Sequence, residues 1–101
     1  MITAKEARSI ARKAKLEIMN KCNLIAEREI LPDIEKTIIE VSSEGENYTS
    51  YSLKEANIDI SLTEESFVMD AVMAELEKAG YSVYRLQYPQ SDTININWYE
   101  R

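Results

Sequence analysis

Only two prolines and two glycines, Pro32, Gly45, Gly80 and Pro89, punctuate this chain of 101 residues. So few breakers leave little room for long irregular loops, and the chain reads as consecutive regular elements with short connections. The same scarcity excludes a glycine-rich phosphate cradle. The length fits one domain, residues 1–101.

Between those breakers the hydrophobic pattern is mostly helical. Thr3-Ala4-Lys5-Glu6 has the form of a capping box, in which the Thr3 hydroxyl accepts from the Glu6 amide. Behind it Ala7, Ile10, Ala11, Ala14, Ile18, Cys22, Ile25 and Ala26 recur at spacings of three and four, an apolar stripe whose first half is made of small residues. Pro32 has no N–H and clashes with the preceding turn, at a cost of about 3 kcal/mol in a helix interior. The pattern therefore predicts a break or sharp kink near Leu31-Pro32, with Asp33 and Glu35 suited to a new helix start. Ile30, Ile34, Ile38 and Val41 continue the stripe up to a stop at Gly45.

Asn47 to Leu53 is β-prone, whereas residues 54–60 fit either a strand or an extended connector. Ser61-Leu62-Thr63-Glu64 offers a second capping box. It opens a helix with a core stripe of Val68, Met69, Val72, Met73, Leu76 and Ala79, terminated at Gly80. Tyr81–Tyr88 and Thr93–Tyr99 then read as a hairpin around Pro89-Gln90-Ser91-Asp92, with Ile94, Ile96 and Trp98 on its inner face. The expected fold class is α+β: two N-terminal helices, a strand, a third helix and a C-terminal β-hairpin. The strands form a small antiparallel sheet covered by helices on one face.

Composition narrows the chemistry. The chain has no histidine, which removes the commonest general base and a common metal ligand. Without histidine neither a Cys-His nor a Ser-His-Asp arrangement exists, and the one cysteine leaves no intramolecular disulfide. Cys22 lies on the apolar stripe and is expected to be a buried structural thiol. Glu64, Glu65, Asp70, Glu75 and Glu77 are expected on solvent faces. The resulting expectation is a protein that is not an enzyme, with no catalytic residues, no cofactor and no metal. The opening residues lack the apolar core of a secretory leader, and no apolar run approaches the roughly 20 residues of a membrane span. With a single cysteine, this points to the cytoplasm and away from membranes.

The net charge of −6 hides an asymmetry. Residues 1–21 carry six basic against two acidic residues, a balance of +4, while the other 80 carry six against sixteen, a balance of −10. Arg8, Arg12 and Lys15 follow i, i+4, i+7 spacing and share a helix face. That face suits an acidic partner or the acidic body of another copy. Nucleic acid is not the expected partner, because the isoelectric point is about 4.7. The acidic remainder suits a basic groove, including one that ordinarily takes nucleic acid. Of the aromatics, Trp98 is expected in the core, and Tyr51, Tyr88 and Tyr99 are the candidates for exposed contact residues.

Four stretches carry a family resemblance: Ile2-Thr3-Ala4-Lys5-Glu6-Ala7, Glu44-Gly45-Glu46, the Leu76…Gly80-Tyr81-Ser82-Val83 step, and Ile94-Asn95-Ile96-Asn97-Trp98. In layout the chain resembles small accessory proteins of tailed bacteriophages, most of unassigned function. Pro32 departs from the uninterrupted helix that this resemblance implies. The resemblance implies a small accessory or host-interacting protein in the host cytoplasm. The leading expectation is a non-enzymatic protein that binds a protein partner, a host factor among them, with Arg8, Arg12, Lys15, Tyr51, Tyr88, Tyr99, Glu64 and Glu65 as candidate contacts. A homo-oligomer assembled through the N-terminal helix is the alternative, and a small-ligand or nucleotide-binding module the third reading.

Overall fold

Helix α1 (Ala4–Ile25) leads through a five-residue π-turn (Ala26–Ile30) directly into α2 (Leu31–Ser43), in a computed structural model that describes residues 1–58, 60–87 and 89–99. The break expected at Leu31-Pro32 is therefore a π-turn, and the chain stays helical through it. In this turn the Leu31 N–H donates to the Ala26 carbonyl, five residues back. Pro32 falls in the first turn of α2, where its missing N–H costs little.

The π-turn also keeps the core row in line. Cys22, Ala26, Ile30, Ile34 and Ile38 are all buried and recur every four residues. In a regular helix of 3.6 residues per turn, such a row drifts by about 40° at each step. The wider turn takes back much of that drift, so one face of a long helix stays against the core.

Helix α3 (Leu62–Lys78) supplies the opposing row, with Val68, Met69, Val72 and Leu76 buried. The Cys22 thiol donates to the Glu64 carbonyl at 3.6 Å, close to the start of α3. The N-cap half of each expected capping box forms: the Glu6 amide donates to Thr3 Oγ1, and the Glu64 amide to Ser61 Oγ, each at 3.2 Å. Both glycine stops form as well. Gly45 (φ +87°) and Gly80 (φ +101°) take the left-handed conformation after α2 and α3. The amides that follow them, Glu46 and Tyr81, return to Val41 and Leu76 carbonyls.

The sheet has three antiparallel strands, β1 (Tyr48–Ser52), β2 (Ser82–Arg85) and β3 (Thr93–Asn97), in the order β1-β3-β2. Ile94 pairs with Tyr51, and Ile96 pairs with both Thr49 and Val83, which sets the inner face against the helices. The hairpin strands are shorter than the sequence suggests, because β2 ends at Arg85, paired with Ile94, and β3 ends at Asn97. Residues 53–57 form turns, with Asn57 at φ +59°, so the described part of 54–60 is not a strand.

Asp92 ties the end of β1 to the start of β3. Its carboxylate accepts from Ser52 Oγ at 3.0 Å, the Lys54 amide at 3.1 Å and Thr93 Oγ1 at 3.4 Å, while its carbonyl accepts from the Leu53 amide. Burial alone would raise its carboxyl, but the bonds from the Lys54 amide, Ser52, its own amide and Thr93 outweigh that and hold it below the usual range.

Two outcomes follow from this packing. Ile30→Ala, in the core, should cost about 2–5 kcal/mol in urea unfolding. Leu16→Ala, on the exposed part of α1, should stay within about 0.5 kcal/mol. Asp92→Asn should cost about 1–3 kcal/mol near neutral pH. A lowered native carboxyl contributes stability above the unfolded value near 3.9, and that contribution is lost as pH falls through the native value. The difference between wild type and Asp92→Asn should accordingly shrink in urea melts as acid is added.

Candidate functional site

The largest uncovered feature is the first part of α1. Every residue from 1 to 17 is exposed; Ile18 is the first half-buried side chain and Cys22 the first buried one. The reason lies in where α3 begins. Glu64, in its first turn, already sits beside Lys21 and Cys22, so cover from α3 thins out N-terminal to that point, where Met19 and Lys15 only border an open hollow with Phe67 and Asp70. About 14 residues of helix, roughly 21 Å, thus project as an arm. The molecule measures 62 × 27 × 25 Å with a radius of gyration of 16.3 Å. A compact chain of this length has about 13 Å.

The arm is amphipathic and bare. Ala7, Ala11 and Ala14 continue the line of Ile18 and Cys22, yet all are exposed. The apolar stripe that the sequence marks is core only from Ile18 onward. Ile2, Ile10 and Leu16 are 58%, 62% and 56% exposed. Arg8, Arg12 and Lys15 lie on this arm, all exposed. The ion pairs among the described residues are Lys21–Glu64 at 3.1 Å and Arg85–Glu65 at 2.9 Å, so none involves these three.

The other candidate contacts are more dispersed. Glu64 accepts from Lys21 and from Ser61 Oγ; the Lys21 ammonium holds its carboxyl below the usual range, with help from Ser61. Glu65, expected on a solvent face, is instead 9% exposed. It accepts from Arg85 Nη2 and from Ser91 Oγ at 2.8 Å, pinning α3 to β2 and its turn. Tyr51, also expected at the surface, is 8% exposed and donates to Asp33 Oδ2 at 3.0 Å. Burial, then the Asp33 carboxylate, pushes its hydroxyl well above the usual tyrosine range. Both corrections follow from periodicity: Glu65 shares a helix face with Val68, Met69 and Val72, and Tyr51 shares a strand face with Thr49, opposite Ile94 and Ile96. Tyr99 is exposed, and Tyr88 lies outside the described residues. Trp98 is half-buried, edge-on to Tyr81 at 5.8 Å between ring centroids.

Sequence reasoning did not single out the exposed Tyr48 and Tyr84 on the outer sheet face, where Asn95 Nδ2 donates to the Tyr84 hydroxyl at 2.8 Å. Alternation with the inward Thr49 and Val83 was the available signal. Nor did it foresee a seam between the long helix and α3, where two open hollows meet at Asn23 and Ala71. Their lining includes Met19, Leu31, Phe67 and Ala74, together with the carboxylates of Glu27, Asp70 and Glu75 and, beside Asp70, the ammonium of Lys15.

Among the described residues no three Cys, Asp or Glu side chains gather as a metal site, and no helix is long and apolar enough to cross a membrane. Comparison with family models, with curated proteins and with solved structures finds no match.

Cys22 gives a probe of the α1–α3 contact on which the arm is mounted. Burial, then the nearby Glu64 charge, pushes its thiol above the usual range, and Lys21 only partly opposes this. Alkylation should run at least about 10³-fold slower in the native protein than in denaturant, since access requires opening of the core. Fast native alkylation would show that α3 does not stay seated on α1.

Proposed function

We propose that this chain is a non-enzymatic interaction protein, and that the projecting part of α1 is the element with which it binds another polypeptide. One observation carries this reading: residues 1–17 are uncovered although they include an apolar stripe and exposed Ile2, Ile10 and Leu16. Isolated helices of 12–15 residues are marginal in water, so a helix of this kind gains most of its stability from a packed apolar face. The globular part anchors the arm at Ile18–Ala26, and the N-cap at Thr3 supports its free end.

The basic face of Arg8, Arg12 and Lys15 beside the stripe favours an acidic partner surface. Glu65 and Tyr51 contribute to the fold in this reading, and the arm replaces the acidic face of α3 as the contact element. The phage-type resemblance directs the search toward bacterial cytoplasm, where a host protein is a candidate partner.

The test is affinity capture on the tagged chain from an extract of bacteria that also make untagged chain. A triple variant, Ala7→Glu/Ala11→Glu/Ala14→Glu, serves as control, because Glu is a good helix former and each site is solvent-exposed. Wild type should retain a protein, another polypeptide or the untagged copy, and the variant should lose at least about tenfold of it, a change of 1.4 kcal/mol in binding. Recovery of nothing above background, or equal recovery on the variant, would sink the reading.

A further inference from the structure

We infer that the arm's occupant is a second copy of this chain, whose α1–α3 seam receives the arm while its own arm returns the contact. The inference rests on the reading of the arm as a docking element and adds the partner and its seat.

Three features of the arm match the seam. The first is length. From Met19 to Leu31 the seam follows about 18 Å of helix, and from Ala4 to Ile18 the arm's stripe covers about 21 Å. The second is surface shape. The seam is lined by the small side chains Ala26, Ala71 and Ala74 with Leu31 and Phe67. Ala7, Ala11 and Ala14 on the arm allow its backbone to approach such a lining closely. The third is charge. The seam carries Glu27, Asp70 and Glu75, all exposed, with Lys15 at its Asp70 end, and the free length of the arm carries Arg8 and Arg12.

The spacing of these charges fits an antiparallel approach. Lys15 and Arg8 are seven residues apart, about 10 Å along the arm, and Asp70 and Glu75 are five apart, about 7.5 Å along α3. With the arm running opposite to the partner's α1, Arg8 comes to the Glu27 and Glu75 end of the seam, while the Lys15 side chains of both copies share the Asp70 ends. Two arms packed only on each other would set Arg8, Arg12 and Lys15 against the same residues of the partner. Like charges so placed repel, whereas the seam offers opposite charge. One copy's arm in the other's seam, repeated by two-fold symmetry, closes the assembly as a dimer and doubles its buried area.

Sedimentation equilibrium on the full chain at about 100 μM tests this, at about 0.05 M and 0.5 M salt. Wild type should show the mass of two 11.6 kDa chains at low salt. Its dissociation constant should weaken about tenfold or more at the higher salt, as ion pairing is screened. Two charge-reversed variants, R8E/R12E/K15E and E27K/D70K/E75K, should each be monomeric alone. Mixed one to one, they should form a heterodimer, because the reversed arm then meets the reversed seam and the unchanged arm meets the unchanged seam, each of opposite sign. All six positions are exposed, so circular dichroism should show native helix in both variants.

A monomeric wild type, a variant that dimerises alone, or a mixture that stays monomeric would overturn the inference. If wild type is monomeric while the alanine stripe still captures a different protein, self-docking falls and the arm remains a docking element. If neither association nor capture occurs, both fall.

Discussion

The contact between the long N-terminal helix and α3 organises this molecule. Cys22, Ala26, Ile30, Ile34 and Ile38 form a buried row along one helix face; Val68, Met69, Val72 and Leu76 of α3 answer its α1 and π-turn part, and β1 answers its α2 part. The inner face of the sheet, Ile94 and Ile96 above all, closes the remaining side. A row with a four-residue repeat does not stay on one face of a regular α-helix. The π-turn at Ala26–Ile30 makes it do so, and Pro32 follows where a proline is tolerated. Core alignment and proline placement are thus solved by one extra residue in one turn.

The same contact defines what is left uncovered. Because α3 starts at Leu62, level with Lys21 and Cys22, cover for α1 thins out there while the helix continues toward Thr3. The charge asymmetry coincides with this boundary: the +4 segment is nearly coextensive with the arm and its root, and the −10 remainder is the body. An isolated basic arm on an acidic body is the arrangement that gives charge-complementary association a direction. The carboxylates that serve the fold are distinct from those that line the seam. Glu65 and Asp92 are spent on hydrogen bonds within the body, whereas Glu27, Asp70 and Glu75 remain exposed.

Much of the fold was legible because its signals are local. Capping at Thr3 and Ser61, stops at Gly45 and Gly80, and the alternation of Ile94 and Ile96 each depend on a few neighbouring residues, and all appear in the structure. The π-turn was not legible, since a proline in a helical pattern signals interruption without specifying how the backbone absorbs it. Glu65 and Tyr51 were misplaced because residue type was weighted above periodicity. Each sits on the inward phase of its element and brings a polar partner, Arg85 or Asp33. The exposure of the arm was the least legible feature, because its stripe is indistinguishable by pattern from the buried stripe it continues. Only the position of α3 in space separates the two halves.

The central claim is that the arm acquires its cover from another chain, a second copy of this one. Amide hydrogen exchange read segment by segment, at a series of protein concentrations, tests it most directly. In dilute protein the amides of residues 4–17 should exchange rapidly, as in a bare helix, while those of Cys22–Ile25 stay protected by the core. As concentration rises, protection should spread into 4–17 and appear together in the Phe67–Glu75 segment of α3 that lines the seam. Rapid exchange in the arm at every concentration would contradict the claim, as would strong protection there that does not change with concentration.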